Sequence, residues 1–238
     1  MSSTSNINSL QRYFAARFRE ELLPKKTGHR PGPSVTISRE TGAGGVSIGQ
    51  KLAKYLEKND RDRESVWGLF DRNLVDEVIQ DYRLPEKMAK YIEEHSANAV
   101  EAYIGELLDL HPSISTLVEK MNETIRKLAK TGNAVLVGRG GNIITFPLKN
   151  TYHIRLTCPL EQRVKRIQSA NTLDYKEATE YVRKKDRERA EYVRKNFDKN
   201  IADPLLYHLT LNTGLHSEDE AVRIIGEAVL QHAQSLAK

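Results

Sequence analysis

Residues 34–53 read SVTISRETGAGGVSIGQKLA. The first five are short and rich in β-branched side chains, the composition of a strand. Glycines follow at 42, 44 and 45, and beyond them Ile48, Leu52, Tyr55 and Leu56 recur on one face of a helix. Strand, glycine loop and helix therefore come in the order that anion binding needs. Glycine lets the backbone N–H groups approach a phosphate, and the start of the helix offers free donors and a favourable dipole. The phosphate-binding candidates are Gly42, Ala43, Gly44, Gly45, Val46 and Ser47; the alternative is a plain strand-to-helix turn. The loop lacks the lysine of a Walker A sequence. If Gly44 is its last glycine, Gly45 holds the lysine position, Val46 the next, and Ser47 comes one place late. Arg39 is then the candidate for the missing charge, or else a surface arginine at a strand end. Ser47 is the hydroxyl available to a magnesium ion, or else a first-turn serine.

Working outward, strands are expected at 66–70, 134–137, 152–156 and 205–211, separated by helical patterns. Among the helices, 175–197 is long and charged, and Ser217 with Glu220 forms a capping box before the last one. Five strands alternating with helices predict an α/β fold, a mostly parallel five-stranded sheet with helices on both faces. Ligands of such sheets bind at the carboxyl ends of the strands, so the loops after Ser38 and Val137 are the places to look. Residues 1–33 read as an appendage, an amphipathic helix on Leu10, Phe14, Phe18 and Leu22 and then a Gly/Pro-containing linker. Residues 34–238 read as the main domain.

The charge is +5, and the single cysteine, Cys158, excludes an internal disulfide framework. Residues 163–199 hold 12 Lys or Arg against 7 Asp or Glu, the whole surplus of the chain. That suits a polyphosphate partner. Acidic residues at 177, 180, 186, 188 and 191 interrupt any continuous basic stripe, so nucleic acid is not the expected partner. The histidines show no HxxxH or HExxH spacing, and zinc is not expected. No apolar run is long enough to span a membrane, and the polar opening lacks the core of a secretory signal. A cytoplasmic setting is expected; nothing sets the oligomeric state.

The stretch SRETGAGGVSIGQKLA resembles the opening of the cytidylate kinase-like family, in which a serine–arginine pair precedes a GxGG loop and the lysine is absent. Asp71 and Arg72 in FDRNLV, Arg139 in VLVGRGGN, the segment LTCPLEQRVKRI and the run DRERAEY from Asp186 resemble further motifs of that family in the same order, over roughly residues 34–230. The resemblance implies a P-loop kinase fold with a helical lid at about 163–199, using ATP with magnesium as co-substrate and phosphorylating a small acceptor such as CMP. Arg139 then holds the acceptor phosphate, or makes a loop salt bridge; an arginine fork suits a phosphate dianion. Asp71 and Arg72 line the acceptor pocket, or Asp71 caps a helix. Arg183, Asp186 and Arg189 are catalytic candidates of the lid, with Arg163, Arg166 and Arg187 beside them. Asp186 orients an arginine or meets the acceptor, or makes only a same-helix ion pair. Asp174, Tyr192 and Asp203 have no expected role. Three functions stay open: a small-molecule kinase, a nucleotide-binding regulator with little catalysis, and, least favoured, a nucleic-acid-binding module.

Overall fold

The computed structural model describes residues 12–13, 15–16, 32–60, 66–71, 114–138 and 140–237. The helices expected near 74–79, 88–92 and 100–108, and both Arg72 and Arg139, lie outside the described residues. The described elements run β1 (Ser34–Arg39), α1 (Gly45–Asn59), β2 (Gly68–Phe70), α2 (Ile114–Thr131), β3 (Ala134–Val137), α3 (Gly141–Ile144), β4 (Thr151–Thr157), α4 (Leu160–Asn171), α5 (Tyr175–Phe197), a 3-10 turn (Pro204–Leu206), β5 (Leu209–Asn212) and α6 (Glu218–Ala237). The five strands form one sheet in the order β2-β3-β1-β4-β5, and every pairing is parallel. All carboxyl ends thus meet at one edge, with β1 in the middle, where the sheet changes its direction of growth.

The β1 sequence alternates, and both of its faces are buried. Val35 and Ile37 join Ile48, Leu52 and Leu56 of α1 and Ala221, Ile225 and Val229 of α6 in the main core. Ser34, Thr36 and Ser38 point the other way, where the parallel register sets them beside Thr151, His153 and Arg155 of β4. This polar row is enclosed, so its atoms need partners. The Ser34 hydroxyl donates to the Ala129 carbonyl at 3.0 Å, Thr36 Oγ1 and His153 Nδ1 lie 2.9 Å apart, and Arg155 donates to Ser38 Oγ at 2.8 Å. Tyr13 is fully buried against the far edge of the sheet, its ring edge-on to Phe70 and its hydroxyl donating to the Gly132 carbonyl at 2.7 Å. Among the described residues no helix is long and apolar enough to cross a membrane.

Two strands differ from the sequence reading by more than one residue at an end. The segment expected as a strand from 205 begins instead with the 3-10 turn, because Asp203 accepts from the Leu205 N–H and Pro204 takes the first turn position. β5 starts at Leu209. β2 is shorter than expected, since the Trp67 N–H goes to Glu57 rather than into the ladder. Asp174 proves to be the N-cap of α5, in a reciprocal capping box with Glu177.

His153 is 1% exposed, and its pKa is lowered to about 3, first by burial and then by the nearby His208 and His232. It is therefore neutral in the folded protein at pH 7. A depressed histidine pKa gives stability that is complete above the unfolded value and lost as pH falls. From about pH 6.5 down towards pH 3 the fold should lose about 1.4 kcal/mol per pH unit through this residue. Urea denaturation of His153→Gln should show a flatter decline between pH 6.5 and pH 4.5 than the unaltered protein. Equal slopes would contradict this assignment.

Candidate functional site

Arg39 is the last residue of β1, so its side chain leaves the sheet at the edge where the strands end. Its stem lies across Gly45: a Cβ there would stand 2.7 Å from Arg39 Cγ. The guanidinium reaches Gly138 at the end of β3, where a Cβ would collide with Nη1. Both positions must be glycine for the arginine to lie this way. Gly45, the lysine position if Gly44 is the last glycine of the loop, is thus covered by the arginine from six residues earlier.

The loop behind it is held from the other side. Arg163 of α4 donates to the Thr41 carbonyl at 3.2 Å, Arg166 to the Gly42 carbonyl at 3.1 Å, and the Thr213 hydroxyl to the Ala43 carbonyl at 3.1 Å. No described peptide is cis. In a trans peptide N–H opposes C=O, so these contacts turn the N–H of Gly42 away from Arg163 and that of Gly44 away from Thr213. Ala43 N–H closes the turn onto the Glu40 carbonyl at 3.2 Å. Arg163 and Arg166 therefore support the loop backbone rather than face into the cleft described next.

A cleft of about 290 Å³ opens at the ends of β1 and β3. Ser38 and Arg39 form one wall, and Gly138, Gly140 and Asn142 another. Lys185, Glu188, Arg189 and Tyr192 of α5 close it from above. These four share one helical face by their spacing of three and four. That spacing was the available sign that Tyr192 belongs with Arg189, and the sequence reading passed over it. Lys185 and Glu188 pair at 2.8 Å.

Asp186 ties α5 to the glycine loop. Its Oδ1 accepts from the Thr41 N–H at 2.8 Å and the Thr41 hydroxyl at 2.7 Å, and its Oδ2 from Arg163 at 2.6 Å. Arg189 Nη1 also reaches Asp186 Oδ1, at 3.3 Å, and contacts the Thr41 hydroxyl. Asp186 thus makes its same-helix pair with Arg189 and a longer-range pair with Arg163. Thr41, which the sequence did not single out, is the loop residue they share. Arg183 lies on the exposed face of α5 beside Arg187 and does not line the cleft.

Ser47 faces α6. Its hydroxyl lies 2.6 Å from Glu218 Oε1 and 3.1 Å from the Gly44 carbonyl. This hydrogen bond, joined by Lys51, holds the Glu218 carboxyl below its usual range. Among the described residues no cluster of three His, Cys, Asp or Glu is placed to hold a metal. Ser47 fits a magnesium ion only as a neutral oxygen: its hydroxyl donates a hydrogen bond to Glu218, and its lone pairs remain for a cation. Val46 is half-buried in the first turn of α1, and Asp71 follows β2 directly at the same sheet edge.

A family model described as "Cytidylate kinase-like family" matches residues 34–215. A cytidylate kinase from Ignicoccus hospitalis is 26% identical over 196 residues, covering 82% of this chain and 98% of that protein. A uronate isomerase from Corynebacterium glutamicum matches over 99 residues at 29% identity, but that covers only 19% of its length. Among solved structures, an uncharacterized protein from Eubacterium ventriosum superposes with a TM-score of 0.62 at 20% identity, covering 83% of this chain and 98% of that one.

Removing the carboxylate that joins α5 to the loop leaves Arg163, whose side chain is only 10% exposed, without its closest anion. Asp186→Ala should cost about 2 kcal/mol in urea denaturation. It should also speed hydrogen exchange at the Thr41 amide. A cost under about 0.5 kcal/mol with unchanged exchange would contradict the tie.

Proposed function

Because the chain belongs to the cytidylate kinase-like family, we propose that it transfers the γ-phosphoryl group of ATP to a nucleoside monophosphate, with CMP the first acceptor to try. The observation that carries this reading is Arg39 lying across Gly45 at the mouth of the glycine loop. It supplies a fixed positive charge where the loop lacks its lysine, beside a cleft of a size to admit a small acceptor.

Phosphoryl transfer depends on positioning and charge stabilisation. On this reading the triphosphate lies along the N–H groups of Gly42 and Gly44 and the first turn of α1. An oxygen of the acceptor phosphate attacks the γ-phosphorus, the bond to the β–γ bridging oxygen breaks, and ADP and a nucleoside diphosphate leave. Arg39 and Arg189 face the charge that spreads over the transferring group, and Asp186 positions Arg189. Arg139, with Asp71 and Arg72, is proposed on the acceptor side. Ser47 is the residue that would hold a magnesium ion, which would supply neutralisation of the phosphate charge. Arg183 has no part in this arrangement.

A second reading, a nucleotide-binding regulator with little turnover, is favoured by one contact. Asp186 already holds the Thr41 N–H, so a carboxylate of the chain sits on the glycine loop.

The two readings separate in one assay of purified protein with ATP, magnesium and a panel of nucleoside monophosphates. Transfer to CMP or another member of the panel is expected. ATP binding without transfer would favour the regulator, and no ATP binding at millimolar concentration would contradict both. Arg39→Ala should lower turnover more than tenfold, a loss above about 1.4 kcal/mol in the transition state. Unchanged kinetics in the folded variant would remove Arg39 from the mechanism.

A further inference from the structure

Asn142 sits in the first turn of α3 and is 5% exposed, yet it lines the cleft. Its Nδ2 is buried and has no hydrogen-bond partner among the described residues. A buried amide donor without a partner costs about 1–3 kcal/mol, so the position calls for an acceptor atom. The backbone beneath it is fixed: Gly141 N–H bonds the Gly138 carbonyl at 3.0 Å, and the buried Thr145 hydroxyl bonds the Gly141 carbonyl at 2.7 Å. The residue is therefore carried on a braced turn at the end of β3.

The other polar groups of the cleft are mostly charged. Arg39, Arg189 and Lys185 suit phosphate oxygens. A neutral carboxamide set deeper than these adds little for an anion but is matched to an uncharged acceptor atom. We propose that Asn142 is a specificity-determining residue of the acceptor pocket, its Nδ2 donating to an uncharged polar atom of the acceptor's nucleoside, either a carbonyl oxygen or ring nitrogen of the base or a sugar hydroxyl. The proposal rests on the kinase reading above and names the part of the acceptor that the arginines leave unread. A site that hydrogen-bonds one such group rejects analogues that lack it, because its own polar atom is then stranded.

The test is steady-state kinetics of Asn142→Ala and Asn142→Asp on the full chain, with ribonucleoside and 2′-deoxyribonucleoside monophosphates as acceptors and ATP binding measured separately by calorimetry. Asn142→Asp keeps the shape and removes the donor. Both variants should lower kcat/KM for the acceptor by about tenfold or more, with the ATP Kd within twofold. If the partner is the 2′-hydroxyl, the unaltered protein loses a similar factor on the deoxy acceptor and the variants add no further loss. If it is the base, the variants lose on both acceptor types. Folded variants that keep the acceptor kcat/KM within twofold, or that lose ATP affinity instead, overturn the proposal.

Should the unaltered protein transfer phosphate to no monophosphate, the kinase reading fails separately. Calorimetry with the same monophosphates then decides: binding weakened about tenfold by Asn142→Asp supports the role, and no binding overturns it. If neither variant folds, the Asn142 side-chain amide resonances of the unaltered protein should shift when a monophosphate is added. Unshifted resonances at saturating ligand overturn it.

Discussion

Arg39 and Gly45 occupy one volume between them. The arginine stem lies where a side chain at position 45 would project, and its guanidinium extends to the end of β3. Much of the site depends on this shared space. A side chain at Gly45 would push the arginine off the loop, and one at Gly138 would block its far end. Losing the arginine would leave Gly45 without the cationic side chain that lies across it. The central position of β1 in the sheet gives the arrangement its rigidity, because β3 pairs with it as far as Ile37 and β4 through Arg39 itself.

The helical segment after β4 serves that loop in two ways. Its first helix, α4, grips the Thr41 and Gly42 carbonyls through Arg163 and Arg166, and the Thr41 contact turns the Gly42 N–H towards the other side. Its second, α5, closes over the cleft and is pinned through Asp186 to Thr41. The apolar seam between α4 and α5 is built on Val164, Ala178 and Val182, with Leu160, Ile167 and Leu173 packed against them. The contacts of α5 with the loop at Thr41 are hydrogen bonds with Asp186 and Arg189. Such contacts can be exchanged for those of a phosphate without breaking a large apolar interface, which suits a segment that moves when a ligand binds.

The parallel sheet was legible because its signals are local. The β-branched run at 34–38, the buried run at 134–137 and the helix from 175 to 197 each announce their own geometry. The glycine loop was legible as a phosphate-binding candidate for the same reason. What was not legible depends on register and distance. The alternation in SVTIS does not disclose that Ser34, Thr36 and Ser38 are enclosed, because their partners on β4 and α2 lie about a hundred residues away. The charge of Asp186 was visible, but its tie to Thr41 and Arg163 follows only from the way α4 and α5 fold back. Asp203 and Asp174 are caps whose neighbours named them; Pro204 and Glu177 were present in the sequence and were not weighed. Arg72 and Arg139 remain sequence-based proposals.

The shared volume of Arg39 and Gly45 can be tested by returning the lysine. Gly45 is not among the positive-φ glycines, so its backbone accepts a side chain. Gly45→Lys alone sets a lysine against the arginine stem, and the double variant Arg39→Ala/Gly45→Lys removes that conflict and restores a cation from the Walker position. The most direct measurement is turnover of the double variant with ATP and the best acceptor, set beside both single variants. If Arg39 stands in for the lysine, the double variant should turn over about tenfold faster than either single variant. A double variant no faster than the slower single one would contradict it.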